Sequence, residues 1–433
     1  MVHYILQREE TKIVLSNIGV IDPESIEDYI ANDGYVALGK VIEGMEPEEV
    51  IEIIKRSNLL GRGGAAFPTG IKWEFTRGAR GEPKYIIANA DESEPGTFKD
   101  RAILEGDPHR IIEAMAIAGY AVGSNIGYIY IRGEYKLAAD RIKRAIKQAL
   151  ELGFLGENVF DSDFHFDIKI HKGAGAYICG EETALIESIE GKRGEPRLKP
   201  PYPPTHGLWG KPTVVNNVET LANIPPIIRN GPEWFKVFSP GRCAGTKVYI
   251  ILGNVNNRGL MEVPIGIPLR DVIDIYGGGI QGNKKFKLAQ VGGTSGAFIP
   301  ETMLDVPMDY YCMRDGGASL GSGALLICDE TNCVVNLLKS ITHFFDYESC
   351  GKCVPCRAGT RKMYSIIERI SSGGGFGTDI SMLTEISKTM IETSFCGLGK
   401  AAPVPTLSAI EHFKEEIDNH IIDKRCPAGV CKL

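Results

Sequence analysis

The clearest indication of the fold is the stretch Lys84-Tyr-Ile-Ile-Ala-Asn-Ala-Asp-Glu-Ser-Glu-Pro-Gly-Thr-Phe-Lys-Asp-Arg101. Its first six residues are largely apolar and favour a β-strand, and four acids follow in the turn after it. Parallel α/β sheets bind their ligands at the carboxyl ends of the strands. The stretch therefore predicts a buried strand that leads directly into a binding loop.

The sequence around this stretch repeats the strand–helix alternation. Residues 128–131 and 166–170 are further strand candidates. Between them, apolar residues at 142, 145, 146, 149 and 150 share one face of a helix that ends at Gly153. This alternation predicts an α/β layer with a largely parallel sheet.

Changes in composition divide the 433 residues into five regions, in keeping with about two to four domains for this length. Residues 1–60 are polar and helix-leaning, with helix starts at Pro23 and Pro47, and 61–240 form the α/β region. Short strands and one short helix at 241–330 predict a compact α+β module. Residues 331–410 show helical i, i+3, i+4 spacing and predict a helical bundle, and 411–433 form a tail with a cysteine pair.

Charge and hydropathy exclude two classes of partner. The formal net charge of −7 argues against a nucleic-acid surface, which needs an excess of Lys and Arg. The N-terminus lacks a basic start followed by an apolar stretch, so no secretory signal is expected. The uncharged run 114–131 contains Gly-Ser-Asn-Ile-Gly, which predicts a helix end and a strand instead of a membrane span. We expect a cytoplasmic protein without direct membrane insertion.

The strongest chemical signal is Cys350-Gly-Lys-Cys353-Val-Pro-Cys356, with Cys396 farther along the chain. Eleven cysteines without a signal sequence favour thiolate ligands over disulfides. Three closely spaced cysteines at a helix start plus one distant cysteine suit a [4Fe–4S] cluster. Zinc is the alternative, although structural zinc sites more often pair two C-x-x-C arms or add histidine.

A second cysteine pair, Cys426-Pro-Ala-Gly-Val-Cys431, lies near the end of the sequence. Two interpretations remain open for it. The pair belongs either to a flexible tail without a ligand, or to a structural zinc site together with Cys333 and His412, or His420 in place of His412.

Two further loops resemble ligand-binding segments. The segment 61–70, Gly-Arg-Gly-Gly-Ala-Ala-Phe-Pro-Thr-Gly, is not a G-x-G-x-x-G fingerprint, but its glycines let backbone N–H groups approach an anion or a ring. The segment 173–183 follows a strand and carries Glu181 and Glu182 at a predicted helix start. These two acids would be stabilised there by the helix dipole, and they could equally hold a ribose diol.

These motifs together resemble a known family. The segments 61–70, 89–101, 173–182, 197–203 and 215–219, with the four cysteines in matching order, are similar to the NADH-binding flavoprotein subunit of complex I. They equally resemble the diaphorase subunits of NAD-linked [FeFe] hydrogenases and formate dehydrogenases. The resemblance covers residues from about 15 to 400. It implies a Rossmann-like FMN domain, a ubiquitin-like module, and a C-terminal four-helix bundle that carries one [4Fe–4S] cluster.

The resemblance also implies site residues. The FMN contacts would be Gly61, Arg62, Gly63, Lys72, Asn89, Asp91, Gly180, Asn216, Asn217 and Thr220, with Glu94 beside the flavin. The NADH contacts would be Phe67, Phe75, Glu181, Glu182, Lys199 and Tyr202. The cluster ligands would be Cys350, Cys353, Cys356 and Cys396. We nominate no proton-transfer residue, because the hydride passes directly from NADH to FMN. Glu182 would disfavour NADPH by repelling its 2′-phosphate.

The implied function is electron input. FMN would exchange a hydride with NAD(H) and pass single electrons to the cluster and then to partner subunits, including a small thioredoxin-like [2Fe–2S] subunit and a hydrogenase- or formate-dehydrogenase-type iron–sulfur subunit. A subunit of membrane complex I is the alternative, and a non-catalytic electron relay is a third. The run 426–431 and Cys333 favour the hydrogenase-type, electron-bifurcating branch, whose larger members continue into a ferredoxin-like domain. The chain would be a naturally short form or one truncated before that domain.

Overall fold

The computed structural model describes residues 12–239 and 242–433, which enclose three apolar cores. The first core joins the N-terminal helices to one face of a parallel sheet, the second extends from the other face of that sheet into the C-terminal helices, and the third fills a small mixed sheet. The predicted polar start at 1–11 lies outside the described residues.

The N-terminal region is helical, with α1 (Ile26–Ala31), α2 (Val36–Gly44) and α3 (Pro47–Arg56). Helix α3 begins at Pro47 as its sequence predicts, and the side chains of Glu46 and Glu49 form a reciprocal capping box there. Helix α1 begins after the N-cap Ser25. The apolar faces of these helices pack into the same core as the parallel sheet.

That sheet has four strands, β1 (Tyr85–Ala90), β2 (Ile126–Arg132), β3 (Asp167–Gly173) and β4 (Thr213–Asn217), all parallel and in the order β3-β2-β1-β4. The helices around it are α4 (Thr69–Gly78), α5 (Lys99–Gly106), α6 (Pro108–Val122), α7 (Lys136–Glu151), α8 (Glu182–Ile189), α9 (Pro203–His206), α10 (Val218–Ala222), α11 (Ile224–Asn230) and α12 (Pro232–Val237). The chain leaves β1 on one side toward β2 and returns on the other side as β4. A crevice at such a switch point, beyond the carboxyl ends of the strands, is where open α/β sheets bind ligands.

The uncharged run 114–131 forms the end of α6 and most of β2, as predicted. Helix α6 is almost entirely buried in the first core, whereas β2 contributes Ile129 and Ile131 to the first core and Tyr130 to the second. Among the residues that the structure describes, no helix is both long and apolar enough to cross a membrane.

The module that follows is a five-stranded mixed sheet of β5 (Thr246–Gly253), β6 (Gly259–Pro264), β7 (Phe286–Val291), β8 (Ala297–Ile299) and β9 (Ala324–Asp329). Its order is β6-β5-β9-β7-β8, and the central pair β5 and β9 is parallel. The predicted short helix forms as α13 (Leu269–Asp271) and continues as a π-helical turn (Val272–Tyr276), and α14 (Tyr310–Asp315) lies before β9. This is the strand order of a ubiquitin-like fold, so we call the sheet the ubiquitin-like module.

A buried ion pair attaches this module to the parallel sheet. The Lys247 Nζ of β5 lies 2.7 Å from the Glu219 carboxylate of α10, and Glu219 also accepts the Val248 backbone N–H at 2.9 Å. Lys99 pairs with the same carboxylate at 3.1 Å. All three side chains are fully buried or nearly so, so the position of the module is fixed by charges that have no access to water.

The C-terminal region comprises α15 (Val334–Glu348), α16 (Val354–Ser371), α17 (Asp379–Thr393), α18 (Gly397–Ala401), α19 (Val404–His412) and α20 (Lys414–Ile421). Helices α15, α16, α17 and α19 form the bundle, and its core includes Leu338, Ile366, Leu383 and Ala409. Helix α20 packs on α15, α16 and α19, so the chain after 411 continues the bundle. The predicted fold class is confirmed.

Candidate functional site

The loop 61–70 lies across the switch point of the parallel sheet. An antiparallel bridge between Leu60 and Pro68 closes it. The Arg62 backbone N–H donates to Thr220 Oγ1 at 2.8 Å and ties the loop to α10. A Cβ at Gly63 would lie 3.1 Å from the Asn217 Cβ, so a residue without a side chain lets the loop approach the end of β4 closely.

The side chain of Arg62 faces away from this crevice. Its guanidinium is fully buried and donates to the carbonyls of Leu60 at 3.1 Å and Ala244 at 2.9 Å, at the border of the ubiquitin-like module. Of Arg62, only the backbone therefore remains available to a ligand in the crevice.

The loop after β1 closes the other side of the crevice. Asn89 Nδ2 donates to the Gly180 carbonyl at 2.9 Å, and Ser93 Oγ donates to Asp91 Oδ1 at 3.0 Å. Asp91 Oδ2 is buried without a hydrogen-bond partner in the described structure. Burial raises the pKa of the Asp91 carboxyl to about 7. A buried carboxyl oxygen without a partner, beside a loop rich in glycine, fits a bound flavin that supplies the missing hydrogen bond.

Two asparagines at the end of β4 are already engaged by protein groups. The Trp73 Nε1–H donates to Asn216 Oδ1 at 2.9 Å. Asn217 Nδ2 donates to Asp100 at 2.7 Å, and its Oδ1 accepts the Glu219 backbone N–H at 3.0 Å. These bonds orient both amides rigidly at the edge of the crevice.

Glu181 and Glu182 have different surroundings. Glu181 caps α8 by accepting the backbone N–H groups of Thr183 and Ala184, both at 2.9 Å. The Glu182 carboxylate lies 2.7 Å from Lys199 Nζ and 3.5 Å from Lys72 Nζ. Burial acts to raise the pKa of Glu182, but the two ammonium groups outweigh it and lower that pKa. The helix-cap explanation therefore suits one oxygen of Glu181, whose other oxygen lies 2.7 Å from Lys199 Nζ, so both acids belong to the charged cluster.

Three aromatic side chains next to this cluster face solvent. Phe67, Phe75 and Tyr202 are 44%, 54% and 55% exposed. They lie in or beside α4 and α9, which pack on each other. The Lys72 ammonium lies 5.9 Å from the centre of the Phe67 ring. Exposed rings next to charged groups suit a planar, charged ligand such as a nucleotide.

Glu94 lies on the far side of the crevice, half-buried between three elements. Its Oε2 accepts the Tyr177 hydroxyl hydrogen at 2.7 Å, and its Oε1 accepts the Ser295 backbone N–H at 3.2 Å. Burial raises the pKa of the Glu94 carboxyl, although these hydrogen bonds act in the opposite direction. Tyr177 lies inside a motif that the sequence singled out, whereas nothing in the sequence pointed to Ser295.

Tyr177 also connects the crevice to the helical bundle. Its backbone N–H donates to Glu348 at 3.0 Å, and its ring packs edge-on against Phe344 with centroids 5.1 Å apart. Both partners lie at the end of α15, just before Cys350. The segment 177–182 thus contacts the crevice, the lysine–carboxylate cluster and the end of α15 that leads into the cysteine loop.

The four predicted cluster cysteines lie together where three helices meet. Cys353 and Cys396 are the N-cap residues of α16 and α18, and Cys356 lies in the first turn of α16. Burial raises the pKa of Cys356 to about 11, and the neighbouring thiols of Cys353, Cys396 and Cys350 contribute. A Cβ at Gly399 would lie 3.0 Å from the Cys356 Cβ, so this glycine allows the close approach of α18. Four neighbouring thiols, three of them at helix N-termini, suit an iron–sulfur cluster, because the helix dipoles stabilise negative sulfur.

A second cluster forms at the end of α20. The ligand atoms of Cys333, His420, Cys426 and Cys431 all lie within 4.8 Å of one another. Cys333 Sγ is 3.3 Å from His420 Nε2 and 3.6 Å from Cys431 Sγ. Tetrahedral zinc with Zn–S bonds of about 2.3 Å places its ligands roughly 3.5–3.8 Å apart. His420 Nδ1 bonds to the Glu416 carbonyl at 2.8 Å, which leaves Nε2 free to bind a metal.

The histidine of this cluster is His420, so the choice of His412 is wrong. His412 ends α19, and its Nε2 lies 4.0 Å from Glu411. Helix α20 begins after Phe413 as a separate helix, and its last turn places His420 next to the cysteines. The flexible-tail interpretation does not fit either, since 426–431 contact the bundle through these side chains.

A glycine-lined crevice at the end of a parallel sheet, exposed aromatic rings beside charged groups, and four neighbouring thiols are together the features of an electron-transferring iron–sulfur flavoprotein. Three family descriptions match the chain: the Nuo51 FMN-binding domain at residues 54–226, the SLBB domain at 248–298, and the NADH-ubiquinone oxidoreductase-F iron–sulfur binding region at 336–420.

Curated relatives extend over nearly the whole chain. The NADP-reducing hydrogenase subunit HndC of Solidesulfovibrio fructosivorans is 50% identical over 98% of this chain and 86% of its own length. An NADH-quinone oxidoreductase subunit of Rhizobium meliloti is 46% identical over 96% of this chain and 99% of its own length. A solved NAD⁺-reducing [NiFe]-hydrogenase, in the H₂-reduced state, matches 95% of this chain and 67% of its own with 32% identity and a TM-score of 0.83.

The chain therefore belongs to the family of NADH-binding flavoprotein subunits, with FMN and a [4Fe–4S] cluster, that complex I and NAD⁺- or NADP-reducing hydrogenases share. It is an oxidoreductase subunit, and the predicted family and cofactors are confirmed.

Proposed function

We propose that the crevice between β1 and β4 binds FMN through Gly61, Arg62, Gly63, Lys72, Asn89, Asp91, Gly180, Asn216, Asn217 and Thr220, with Arg62 acting through its backbone alone. The observation that carries this proposal is the buried Asp91 Oδ2, which lacks a partner within the described residues. Bound FMN supplies a hydride acceptor that passes electrons onward singly. We also propose the boundaries 1–60, 61–240, 241–330, 331–410 and 411–433 for the five regions.

NADH binds on the exposed face formed by Phe67, Phe75 and Tyr202. The adenine would stack on these rings, and Lys199 with Glu181 and Glu182 would contact the ribose diols. This assignment is supported by the exposure of all three rings and by the charged cluster beside them. Glu94 faces the nicotinamide, where its carboxylate stabilises the positive charge that the ring acquires as NADH gives up its hydride.

A comparison of two substrates tests the nucleotide face. Phe75→Ala should lower kcat/KM for NADH by about tenfold, because stacking on one aromatic ring contributes on the order of 1–3 kcal/mol. The same variant should leave kcat/KM for reduced nicotinamide mononucleotide unchanged, because that substrate has no adenine. Phe376→Ala, which removes an exposed ring from the bundle, is the matched control. Equal losses with both substrates would contradict the adenine assignment.

The four cysteines Cys350, Cys353, Cys356 and Cys396 hold the [4Fe–4S] cluster, and the segment 177–182 brings the flavin side close to it. This is supported by the contacts of Tyr177 with both Glu94 and α15. Electrons then leave the chain from the cluster.

The chain works in a hydrogenase- or formate-dehydrogenase-type complex, which is supported by its 50% identity to a hydrogenase subunit and by Cys426-Pro-Ala-Gly-Val-Cys431. Its partners are a small thioredoxin-like [2Fe–2S] subunit and an iron–sulfur subunit of the hydrogenase or formate dehydrogenase type. A complex I subunit is the second candidate, favoured by the 99% coverage of an NADH-quinone oxidoreductase subunit. Eleven free cysteines support a reducing, cytoplasmic location.

Co-expression tests the proposed partners. The chain should elute together with the thioredoxin-like subunit in size-exclusion chromatography, and with an iron–sulfur subunit of the hydrogenase type. If the chain assembled with the membrane arm of a complex I, and not with these two partners, it would be a complex I subunit, the second candidate.

The second cluster binds one structural zinc ion through Cys333, His420, Cys426 and Cys431. This proposal is supported by the mutual distances of the four ligand atoms and by the carbonyl that orients His420. The ion would attach the end of the chain to the start of α15.

A further inference from the structure

The turn between β7 and β8, Gly292-Gly-Thr-Ser-Gly296, reaches out of the ubiquitin-like module to Glu94. Its Ser295 backbone N–H donates to Glu94 Oε1 at 3.2 Å, and the Thr294 backbone N–H also bonds to this carboxylate. The other oxygen, Oε2, is held by Tyr177 from the opposite side. The two oxygens of one carboxylate are therefore fixed by two different modules.

The turn leaves no space for a side chain where it meets Glu94. Gly293 has a φ of +86°, and a Cβ there would lie 2.7 Å from both the Glu94 Cγ and Oε1. Real Cβ atoms do not approach this closely, so glycine is required both for the backbone conformation and for the contact.

The turn is also rigid. The buried Gln290 side chain donates to the carbonyls of Thr294 at 3.0 Å and Gly296 at 3.2 Å. The backbone N–H groups of Gly292 and Gly293 both donate to the Ala324 carbonyl of β9. Because the module itself is fixed by the buried pair Lys247–Glu219, the turn holds a defined position relative to the flavin crevice.

We propose that the turn 292–296 is a positioning element of the nicotinamide site: it orients the Glu94 carboxylate, and the ubiquitin-like module is thereby part of the active site. This inference rests on the proposed role of Glu94 beside the flavin. Gly293, Thr294 and Ser295 act through Glu94 and do not contact the reacting atoms. A group that must face a developing charge needs such fixation, since a displacement of about 1 Å can cost on the order of a hundredfold in rate.

Hydrogen exchange tests the contact without using activity. Glu94→Ala removes the acceptor, and the amides of 294 and 295 should then exchange at least about tenfold faster in the FMN-loaded chain. The amides of 277–280, in a separate turn of the same module, should be unchanged. Unaltered exchange at 294 and 295 would overturn the proposed contact.

Kinetics test the positioning role with matched glycine variants. Gly293→Ala and Gly279→Ala both force alanine into a positive φ, +86° and +80°, but a Cβ at 279 meets nothing within 4 Å. Gly293→Ala should lower kcat with ferricyanide as acceptor by about tenfold or more, while KM for NADH and FMN content change less than about twofold. Gly279→Ala should match the wild type. Equal kinetics of the two variants would contradict the proposal.

Combining Gly293→Ala with Glu94→Gln shows whether the turn acts through the carboxylate. If it does, the double variant should be no slower than Glu94→Gln alone, because the two changes then affect one interaction. If the factors by which the two substitutions lower kcat multiplied in the double variant, the turn would act on the rate by a route other than Glu94. If the wild-type chain failed to oxidise NADH, the function itself would be wrong, and the exchange experiment would still decide whether the turn holds Glu94.

Discussion

Asp91 carries a carboxyl group whose Oδ2 is buried and has no hydrogen-bond partner among the described residues. Its pKa in the folded chain is about 7, well above the value of about 3.9 expected in an unfolded chain. The folded chain therefore favours the protonated carboxyl. The stability of the fold is unaffected by this group below about pH 4 and decreases as the pH rises from there through about 7, because the buried position disfavours the ionised carboxyl. For the flavin-free chain, the loss reaches on the order of 4 kcal/mol above that range.

Asp91→Asn removes this dependence. In the flavin-free chain, the variant should raise the thermal midpoint relative to wild type much more at pH 8 than at pH 5, because the amide carries no buried charge. Thermal unfolding at the two pH values measures this difference, with Asp140→Asn on the exposed face of α7 as the control. A difference from wild type that is the same at both pH values would show that Asp91 is not the titrating group.

Glu182 is predicted to set the preference for NADH over NADPH. Its carboxylate lies between Lys72 and Lys199, and Glu181 compensates only Lys199, so removal of the Glu182 charge leaves a net positive charge that would attract a 2′-phosphate. We expect Glu182→Gln to shift the ratio of kcat/KM values about tenfold toward NADPH, which corresponds to about 1.4 kcal/mol. Glu195→Gln, near the cluster loop, should leave the ratio unchanged. An unaltered ratio in Glu182→Gln would refute the role of this charge.

Among the helices, α20 carries His420, the histidine of the proposed zinc site, in its last turn. His420→Ala should abolish zinc binding and lower the thermal midpoint by several degrees, because a structural metal stabilises the fold directly. Iron content should stay the same, since the four-thiol cluster is separate. His412→Ala, from the end of α19, is the matched control and should keep its zinc. Zinc and iron measured by mass spectrometry decide between the two histidines, and retention of zinc by His420→Ala would eliminate the site.

The elements also show how far local sequence patterns extend. The spacing of Cys350, Cys353 and Cys356 is enough to predict that their thiols lie close together, because it places all three around one helix start. The strand before Asn89 predicts the binding loop for a similar reason. By contrast, whether His412 or His420 meets Cys333 depends on how α20 packs on α15, and no periodicity in the sequence specifies that contact.

For the whole molecule, the contacts between modules are what the sequence does not reveal. Lys99, Glu219 and Lys247 lie far apart in the chain and look like surface residues by type, yet they form a buried cluster. Arg62 stands in a glycine-rich motif, but its side chain joins this interface. Ser295 reaches Glu94 only because the ubiquitin-like module docks on the sheet. Motifs could thus predict the crevice and the cluster, whereas the residues that hold the modules together required the structure.

The buried pair Lys247–Glu219 should be essential for docking of the module. Lys247→Met leaves the Glu219 carboxylate short of one partner in a fully buried position, which costs on the order of 3 kcal/mol. We expect a lower thermal midpoint and partial loss of FMN. The double variant with Glu219→Gln should recover part of both, because it removes the uncompensated charge. A Lys247→Met chain with normal stability and FMN content would show that the pair is dispensable.

The most direct test of the account is an anaerobic NADH titration of the purified chain, followed by its visible and electron paramagnetic resonance spectra. We expect about one FMN and four irons in the flavin and four-thiol sites, bleaching of the flavin by NADH, and a reduced [4Fe–4S] signal. Cys396→Ser should retain the bleaching and lose the cluster signal. Flavin that NADH does not reduce, in a chain with full FMN and iron content, would contradict the central claim that this protein transfers electrons from NADH to its cluster.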